Sequence, residues 1–197
     1  MEKHFSAYMY RLRYIERWSL MRNVMPENVA EHSYHVALLT HMLCTIGNRE
    51  FNQQVDTNQA VTMALFHDAT EVFTGDIPTP VKHHNPRILA NFREIEEIAS
   101  ERLISMVPNT LLPIYESLLD SKSDQHPELR AYVKAADLLD AYLKCVTELT
   151  AGNREFAEAK RQTEAKLQEL AMPEVDYFLI YLAPSFEKTL DELSETE

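Results

Sequence analysis

Three side chains between residues 64 and 71 could do chemistry together: His67, Asp68 and Glu71. His67 and Glu71 are four residues apart and Asp68 and Glu71 are three apart, so on a helix all three would share one edge. Apolar residues precede them, which predicts a half-buried edge where charged groups need a partner or a metal. An imidazole beside a carboxylate supplies half of a metal site.

Two further candidate ligands lie on other predicted helices. His32 is in the first turn of a helix that starts near Pro26 and runs to about Ile46. Asp137 lies beside the apolar stripe of a helix predicted over residues 128–149. Each has a simpler explanation when taken alone: a core histidine bonded to a carbonyl, and a surface ion pair between Asp137 and Lys134.

Two segments without helical periodicity carry groups suited to phosphate and sugar. The planar fork of Arg17 fits phosphate oxygens, and Trp18 beside it could form an aromatic wall. The alternative is a solvated arginine next to a tryptophan that fills the core. Residues 73–80 contain a glycine and two prolines, which predict a stiff loop in which Asp76 and Thr79 offer an acceptor and a hydroxyl. The alternative there is an ordinary helix-terminating turn.

The composition limits the class of protein. A chain of 197 residues, 45% hydrophobic and 25% charged, suits one globular domain with a substantial core. With only 3 glycines, Gly-rich phosphate loops and tight hairpins are disfavoured and helices are favoured. The net charge of −12 makes nucleic acid and anionic membranes poor partners. A small anionic substrate stays compatible, because a metal or an arginine sets the charge inside one pocket.

The cysteines and the N-terminus predict a cytoplasmic location. Cys44 and Cys145 show no metal-ligand spacing, which favours two buried thiols in a reducing cytosol. Charges interrupt residues 1–18, so we expect neither a signal peptide nor a membrane span there.

Apolar periodicity predicts an all-α chain. Asp56 and Thr57 would cap the helix that carries His67 and Asp68, and Gly47 would end the helix that carries His32. The remaining predicted helices cover residues 3–16, 86–107, 109–119 and 153–170, with an apolar segment from Pro173 onwards.

The order of the candidate ligands, a His, a later His-Asp pair and a distant Asp, resembles the HD-domain metal-dependent phosphohydrolases. Six segments more closely resemble the bacterial 5′-deoxynucleotidases, HD-domain enzymes that remove phosphate from deoxyribonucleoside 5′-monophosphates. They are residues 17–18 (RW), 28–33 (NVAEHS), 66–71 (FHDATE), 74–82 (TGDIPTPVK), 134–137 (KAAD) and 141–145 (AYLKC). The resemblance implies a homodimer whose subunit, residues 1–197, is a single-domain helical bundle of the HD type. Its metal-binding helices would lie within about 28–145 and its C-terminal helices within about 153–192.

The resemblance also implies roles for these residues. One divalent metal, such as Co, Mn or Zn, would be bound by His32, His67, Asp68 and Asp137. Glu71 would be the catalytic acid/base, and Arg17, the only cation that we place beside the phosphate, would orient it. The substrate contacts would be Arg17, Trp18, His32, Asp68, Asp76, Ile77, Pro78, Thr79 and Asp137. Trp18 would disfavour a 2′-hydroxyl by steric exclusion.

Two other functions remain compatible with the sequence. A cyclic-nucleotide or alarmone hydrolase of the same superfamily would need extra histidines between the His-Asp pair and the last Asp. Only His83, His84 and His126 are available there, all in polar loops, which favours one metal. A non-catalytic helical dimer that senses nucleotides is disfavoured, because Glu71 accompanies all four candidate ligands.

Overall fold

The computed structural model describes residues 2–82, 84–119 and 126–195, and in these residues the fold is all-α, as predicted. The α-helices are α1 Phe5–Met9, α2 Val29–Glu50, α3 Thr57–Leu65, α4 Glu71–Thr74, α5 Thr79–Lys82, α6 Pro86–Ser105, α7 Leu112–Leu119, α8 Pro127–Thr150, α9 Ala157–Glu169, α10 Pro173–Tyr181 and α11 Leu190–Ser194. Short 3-10 helices span Tyr10–Tyr14, Asn109–Leu111, Arg154–Phe156 and Ala183–Glu187. The described residues form no strand beyond one isolated bridge between Glu16 and Asn28.

The larger core forms where α2, α3 and α8 pack against one another and α9 and α10 cover them. Leu43 on α2 and Leu139 on α8 are fully buried, and Leu167 on α9 and Val175 on α10 complete the same cluster. The apolar stripe of α8 explains this position, because apolar residues three and four apart face one side of the helix. Met42, which shares the spacing of the α2 stripe, is exposed instead.

A smaller apolar cluster joins α1, α6 and α7. Its buried members are Phe5, Ala69, Leu103, Val107 and Leu119. Ala69 belongs to the segment between α3 and α4, whereas Ala64 at the end of α3 belongs to the larger core. The residues between them therefore lie at the junction of the two clusters.

The prediction that Gly47 ends its helix is wrong, because α2 continues to Glu50. A Cβ atom at position 47 would lie 2.7 Å from the hydroxyl of Tyr132 and 2.9 Å from a carboxylate oxygen of Glu174. The tyrosine donates a 2.6 Å hydrogen bond to that carboxylate. Glycine is therefore needed here for the close approach of α8 and α10.

Three observations concern the N-terminal helix, membrane-spanning helices and the cysteines. The helix predicted over residues 3–16 is shorter: α1 ends at Met9 and a 3-10 helix follows. No helix in the described part of the chain has both the length and the apolar character needed to cross a bilayer. Cys44 and Cys145 are free and buried, as predicted.

Candidate metal centre

His32 is delivered to the centre by the start of α2. The side chain of Asn28 accepts hydrogen bonds from the backbone of Ala30 and Glu31, and Glu31 reaches back to the backbone of Asn28. This capping box fixes the first turn of α2. It places the imidazole of His32 in the interior with no exposed surface.

His67 and Asp68 do not lie on a helix, so the prediction of one shared helical edge is wrong. Helix α3 ends at Leu65, and residues 66–70 form a turn before α4 begins at Glu71. The ring of His67 explains the break, because its Nδ1 lies 2.8 Å from the carbonyl oxygen of Ala64. A proton on Nδ1 satisfies that helix-end carbonyl and leaves the lone pair of Nε2 directed into the centre.

Four potential ligand atoms converge there from α2, the 66–70 turn and α8. The Nε2 atom of His32 lies 3.2 Å from Nε2 of His67, 3.3 Å from Oδ2 of Asp68 and 3.3 Å from Oδ1 of Asp137. Nε2 of His67 is 3.1 Å from the same oxygen of Asp68. His32, His67 and Asp68 thus form one compact group of potential ligand atoms, and Asp137 joins it through its contact with His32.

These separations suit a divalent metal. With ligand–metal distances of about 2.1 Å, neighbouring ligand atoms lie about 3.0 Å apart in octahedral and about 3.4 Å apart in tetrahedral coordination. The measured range of 3.1–3.3 Å falls between these limits. Two imidazoles and two carboxylates form a donor set used by Mn, Fe, Co and Zn, and it carries enough negative charge to neutralise a dication.

The electrostatics of the centre also favour a cation. Burial lowers the pKa of His32, but hydrogen bonds with Asp137, Asp140 and Asp68 outweigh it and hold the pKa well above its usual value. Burial likewise lowers the pKa of His67, and the charge of Asp68 raises it to a net increase. Without a metal, protons on the imidazoles therefore supply the positive charge that these carboxylates require.

Buried charged groups surround the far side of the His32 ring. Its Nδ1 lies 2.7 Å from Oδ2 of Asp140, which suits a donated N–H bond and leaves Nε2 for the metal. Nη1 of Arg17 lies 2.5 Å from Nδ1 of His32, 2.5 Å from Glu27 and 3.5 Å from Asp140. Neither Asp140 nor Glu27 is among the residues that the sequence predicts for the site. The position of Asp140, one turn after Asp137, is a signal for it, whereas nothing in the sequence distinguishes Glu27.

The two predicted substrate segments lie next to each other. The backbone N–H of Trp18 lies beside Asp76. Burial leaves the pKa of that carboxyl raised overall, although the charge of Arg17 and this N–H lower it. Trp18 has a φ of 57°, rare for a bulky side chain, and its indole N–H is buried without a protein partner among the described residues. Asp76, Ile77 and Pro78 form a half-buried segment after α4, and Thr79 is exposed as the first residue of α5.

Glu71 opens α4 beside the ligands and has an unusual environment. Burial, together with the charges of Asp68 and Asp76, raises its pKa to about 9. Its Oε2 atom is buried and has no hydrogen-bond partner in the described part of the protein. In the metal-free centre this carboxyl group is therefore protonated at neutral pH and can donate a proton.

A cavity of about 400 Å³ adjoins the centre, and its wall includes His67, Asp68, Glu71 and Asp137. The same wall contains three cations: Lys82, Arg130 and Lys134. The sequence places only Arg17 beside the phosphate, whereas the structure adds these three cations on the wall of the cavity. The ion pair expected between Lys134 and Asp137 does not form among the described residues, and Lys134 is exposed.

Of the three histidines available for a second metal, the two that the structure describes add nothing to the centre. His84 and His126 join no group of potential ligands in the described part of the chain, and His83 lies outside the described residues. A second group, Glu27, His32 and Asp140, surrounds Nδ1 of His32, where Arg17 already supplies the positive charge.

Sequence comparison finds one matching family and close relatives. The family model described as 5′-deoxynucleotidase YfbR-like matches residues 4–186. A 5′-deoxynucleotidase of Yersinia pestis (strain Pestoides F) is 48% identical over 191 residues, which cover 97% of this chain and 96% of that protein. A 5′-deoxynucleotidase of Yersinia pseudotuberculosis serotype O:3 (strain YPIII) shows the same identity and coverage.

Structure comparison finds HD-domain phosphohydrolases. One from Listeria innocua has a TM-score of 0.81 and 28% identity, covering 93% of this chain and 88% of that one. The HD phosphohydrolase DatZ of cyanophage S-2L, solved with dA and one catalytic Zn²⁺ ion, has a TM-score of 0.64 and 23% identity. It covers 96% of this chain and 100% of its own, and at this identity it shows a shared fold.

Proposed function

Because this chain belongs to the 5′-deoxynucleotidase YfbR-like family, it is a 5′-deoxynucleotidase, and we propose that His32, His67, Asp68 and Asp137 hold its divalent metal. The observation that supports this assignment is that Nε2 of His32 lies 3.2–3.3 Å from potential ligand atoms of His67, Asp68 and Asp137, and that those of His32, His67 and Asp68 all lie within 4.8 Å of one another. When bound, the metal supplies a Lewis acid for the phosphate and a source of nucleophile at neutral pH. Co, Mn and Zn all suit these ligands.

The reaction requires one proton donor, and we assign that role to Glu71. Hydrolysis forms a bond between phosphorus and the oxygen of water and breaks the bond between phosphorus and the 5′ oxygen. The departing 5′ oxygen takes up a proton and yields the deoxyribonucleoside and phosphate. The raised pKa of Glu71 and its unpartnered Oε2 support a protonated carboxyl group beside the metal ligands.

Phosphate and sugar would be held by different groups beside the metal ligands. Arg17 would orient the phosphate, supported by its contact with the His32 ring, although Glu27 and Asp140 already occupy part of its guanidinium. Lys134 adds an exposed ammonium group one turn before Asp137 on the same cavity. Trp18 and residues 76–79 would contact the sugar and base, and Trp18 would disfavour a 2′-hydroxyl. The nearness of the Trp18 backbone to Asp76 supports one shared surface.

We further propose that residues 1–197 form one functional domain, a homodimer in a cytoplasmic location. Exposed apolar side chains follow one another at four-residue intervals on the outer face of α2, at Tyr34, Leu38 and Met42, which suits a helical subunit interface. The two free buried thiols suit a reducing compartment.

A phosphate-release screen tests the proposed function. Deoxyribonucleoside and ribonucleoside 5′-monophosphates are incubated with metal-stripped protein to which Co²⁺, Mn²⁺, Zn²⁺ or Mg²⁺ is added back. We expect metal-dependent release with the deoxyribonucleotides preferred. Nucleotide binding without release under every metal would indicate a sensor, and hydrolysis confined to cyclic nucleotides or alarmones would indicate the other superfamily activity.

A further inference from the structure

Residues 18–27 form a loop that carries Trp18 at its start and is closed at its neck by backbone hydrogen bonds. The N–H of Arg17 donates to the carbonyl of Glu27 at 2.9 Å, and the N–H of Val29 donates to the carbonyl of Ile15 at 3.0 Å. Beyond Trp18 and the half-buried Met21, the larger apolar side chains of this loop are exposed: 69% for Leu20, 54% for Val24 and 59% for Met25. Burial of apolar surface therefore does little to hold the 18–27 loop in place.

A single buried carboxylate on α8 holds the far end of the loop. Glu148 has no exposed surface and accepts hydrogen bonds from the backbone N–H groups of Val24 at 2.9 Å and Met25 at 3.0 Å. It also accepts from Nζ of Lys144 at 2.5 Å and from the amide of Asn153 at 2.8 Å. Burial raises the pKa of Glu148, but these donors lower it to about 2, so the group is ionised at neutral pH.

The residues around Glu148 also contact the loop directly. Lys144 donates to the carbonyl of Met25, and the amide of Asn153 donates to the carbonyl of Arg22 at 2.7 Å. The ring of Phe156, fully buried and three residues after Asn153, lies 5.4 Å from the ring of Trp18. The carboxylate that fixes the loop tip and the ring that receives Trp18 thus lie at the same end of α8.

We infer that Glu148 is a positioning residue for substrate selection. It holds the 18–27 loop so that Trp18 packs against Phe156 and keeps its backbone beside Asp76. Glu148 touches neither a metal ligand nor the cavity among its described contacts, so it acts through the loop. The inference rests on the proposed contact of Trp18 and Asp76 with the sugar.

The test compares Glu148→Gln with a matched control, Glu174→Gln. Both glutamates are buried, but Glu174 accepts a hydrogen bond from Tyr132 and lies beside Gly47 instead of the 18–27 loop. Trp18 is the only tryptophan, so its fluorescence reports the loop directly. In Glu148→Gln we expect greater quenching of Trp18 by acrylamide, and a KM for a deoxyribonucleotide raised about 5- to 30-fold because fewer molecules hold the competent loop. The kcat and the metal affinity of Glu148→Gln should stay near those of the parent. In Glu174→Gln, the quenching and the KM should also stay near the parental values.

The outcomes separate this inference from the proposed function. Unchanged quenching and KM in folded Glu148→Gln would overturn the inference. Greater quenching with an unchanged KM and an unchanged ratio of deoxy to ribo kcat/KM would overturn it as well. In that case Trp18→Ala locates the error: an altered sugar ratio keeps the proposed role of Trp18, and an unaltered ratio removes that role too. Asn153→Ala, which loses one donor to Glu148 and one bond to Arg22, should show the same changes to a smaller extent if Glu148→Gln does not fold.

Discussion

Replacing Asp140 tests how His32 is prepared for metal binding. Asp140 is buried and accepts a hydrogen bond from Nδ1 of His32 at 2.7 Å, so it fixes the orientation and tautomer of a ligand without touching the metal. Loss of such a partner costs 10- to 100-fold in metal affinity, which is about 1.4–2.7 kcal/mol. Asp140→Ala should therefore raise the Kd for metal by that factor. Asp140→Asn, which keeps an acceptor oxygen and loses the charge, should raise it less.

The measurement is calorimetric titration of metal-stripped protein with Co²⁺ or Mn²⁺, checked against a competing chelator. Asp137→Asn, which removes the charge of a proposed ligand one turn earlier on α8, provides the upper limit and should lose at least tenfold in metal affinity. Glu174→Gln again serves as a buried carboxylate remote from the centre. A parental Kd in Asp140→Ala, with Asp137→Asn weakened, would refute the positioning role of Asp140.

Three further predictions concern the chemistry and the charge of the centre. Glu71→Ala should lower kcat by about 10²–10⁴ while metal content stays normal, and loss of the metal in that variant would show that its role is wrong. Arg17→Lys keeps the charge and loses the planar guanidinium fork, so kcat/KM should fall in both variants and fall further in Arg17→Ala than in Arg17→Lys. If Lys134→Ala lowers kcat/KM more than Arg17→Ala does, Lys134 orients the phosphate instead. Because the pKa values of His32 and His67 are raised in the metal-free centre, their stabilising contribution is complete below the ordinary histidine pKa and is lost as the pH rises through the folded values. Metal requires the neutral rings, so affinity measured between about pH 6 and pH 8 should increase with pH while the stability of the stripped protein decreases, and a pH-independent Kd would contradict these pKa directions.

The sequence predicts the helices that carry His32 and Asp137 because their apolar stripes determine which side of each helix is buried. It does not predict the turn at residues 66–70, where the ring of His67 contacts the carbonyl of Ala64 and the backbone leaves the helical pattern. Gly47 misleads for a similar reason: the need for space between α2, α8 and α10 is a tertiary requirement that no local pattern records.

The sequence predicts which residues come together at the candidate site better than it predicts how they are arranged there. All four proposed ligands converge, and Trp18 and Asp76 are adjacent. The sequence does not show that Arg17 lies behind the His32 ring, because the ion pairs with Glu27 and Asp140 that draw it there join distant segments. The sequence also does not predict the cavity cations, since Lys82 on α5 and Lys134 on α8 come to line one cavity only in the folded chain.

The spacing of the ligands along the chain determines the order in which the site can assemble. His32 and Asp137 are separated by more than half of the chain, and the 66–70 turn joins them between the two apolar clusters. Bringing such distant residues together costs loop-closure entropy that α2 and α8 offset through their apolar contacts before any metal arrives. In small zinc domains the metal nucleates folding, whereas here we expect the metal to bind a chain that is already folded. We expect it to act afterwards as a cross-link between helices that are already packed, so chelation should lower the melting temperature by an amount that grows with the logarithm of metal affinity and should leave the helices folded.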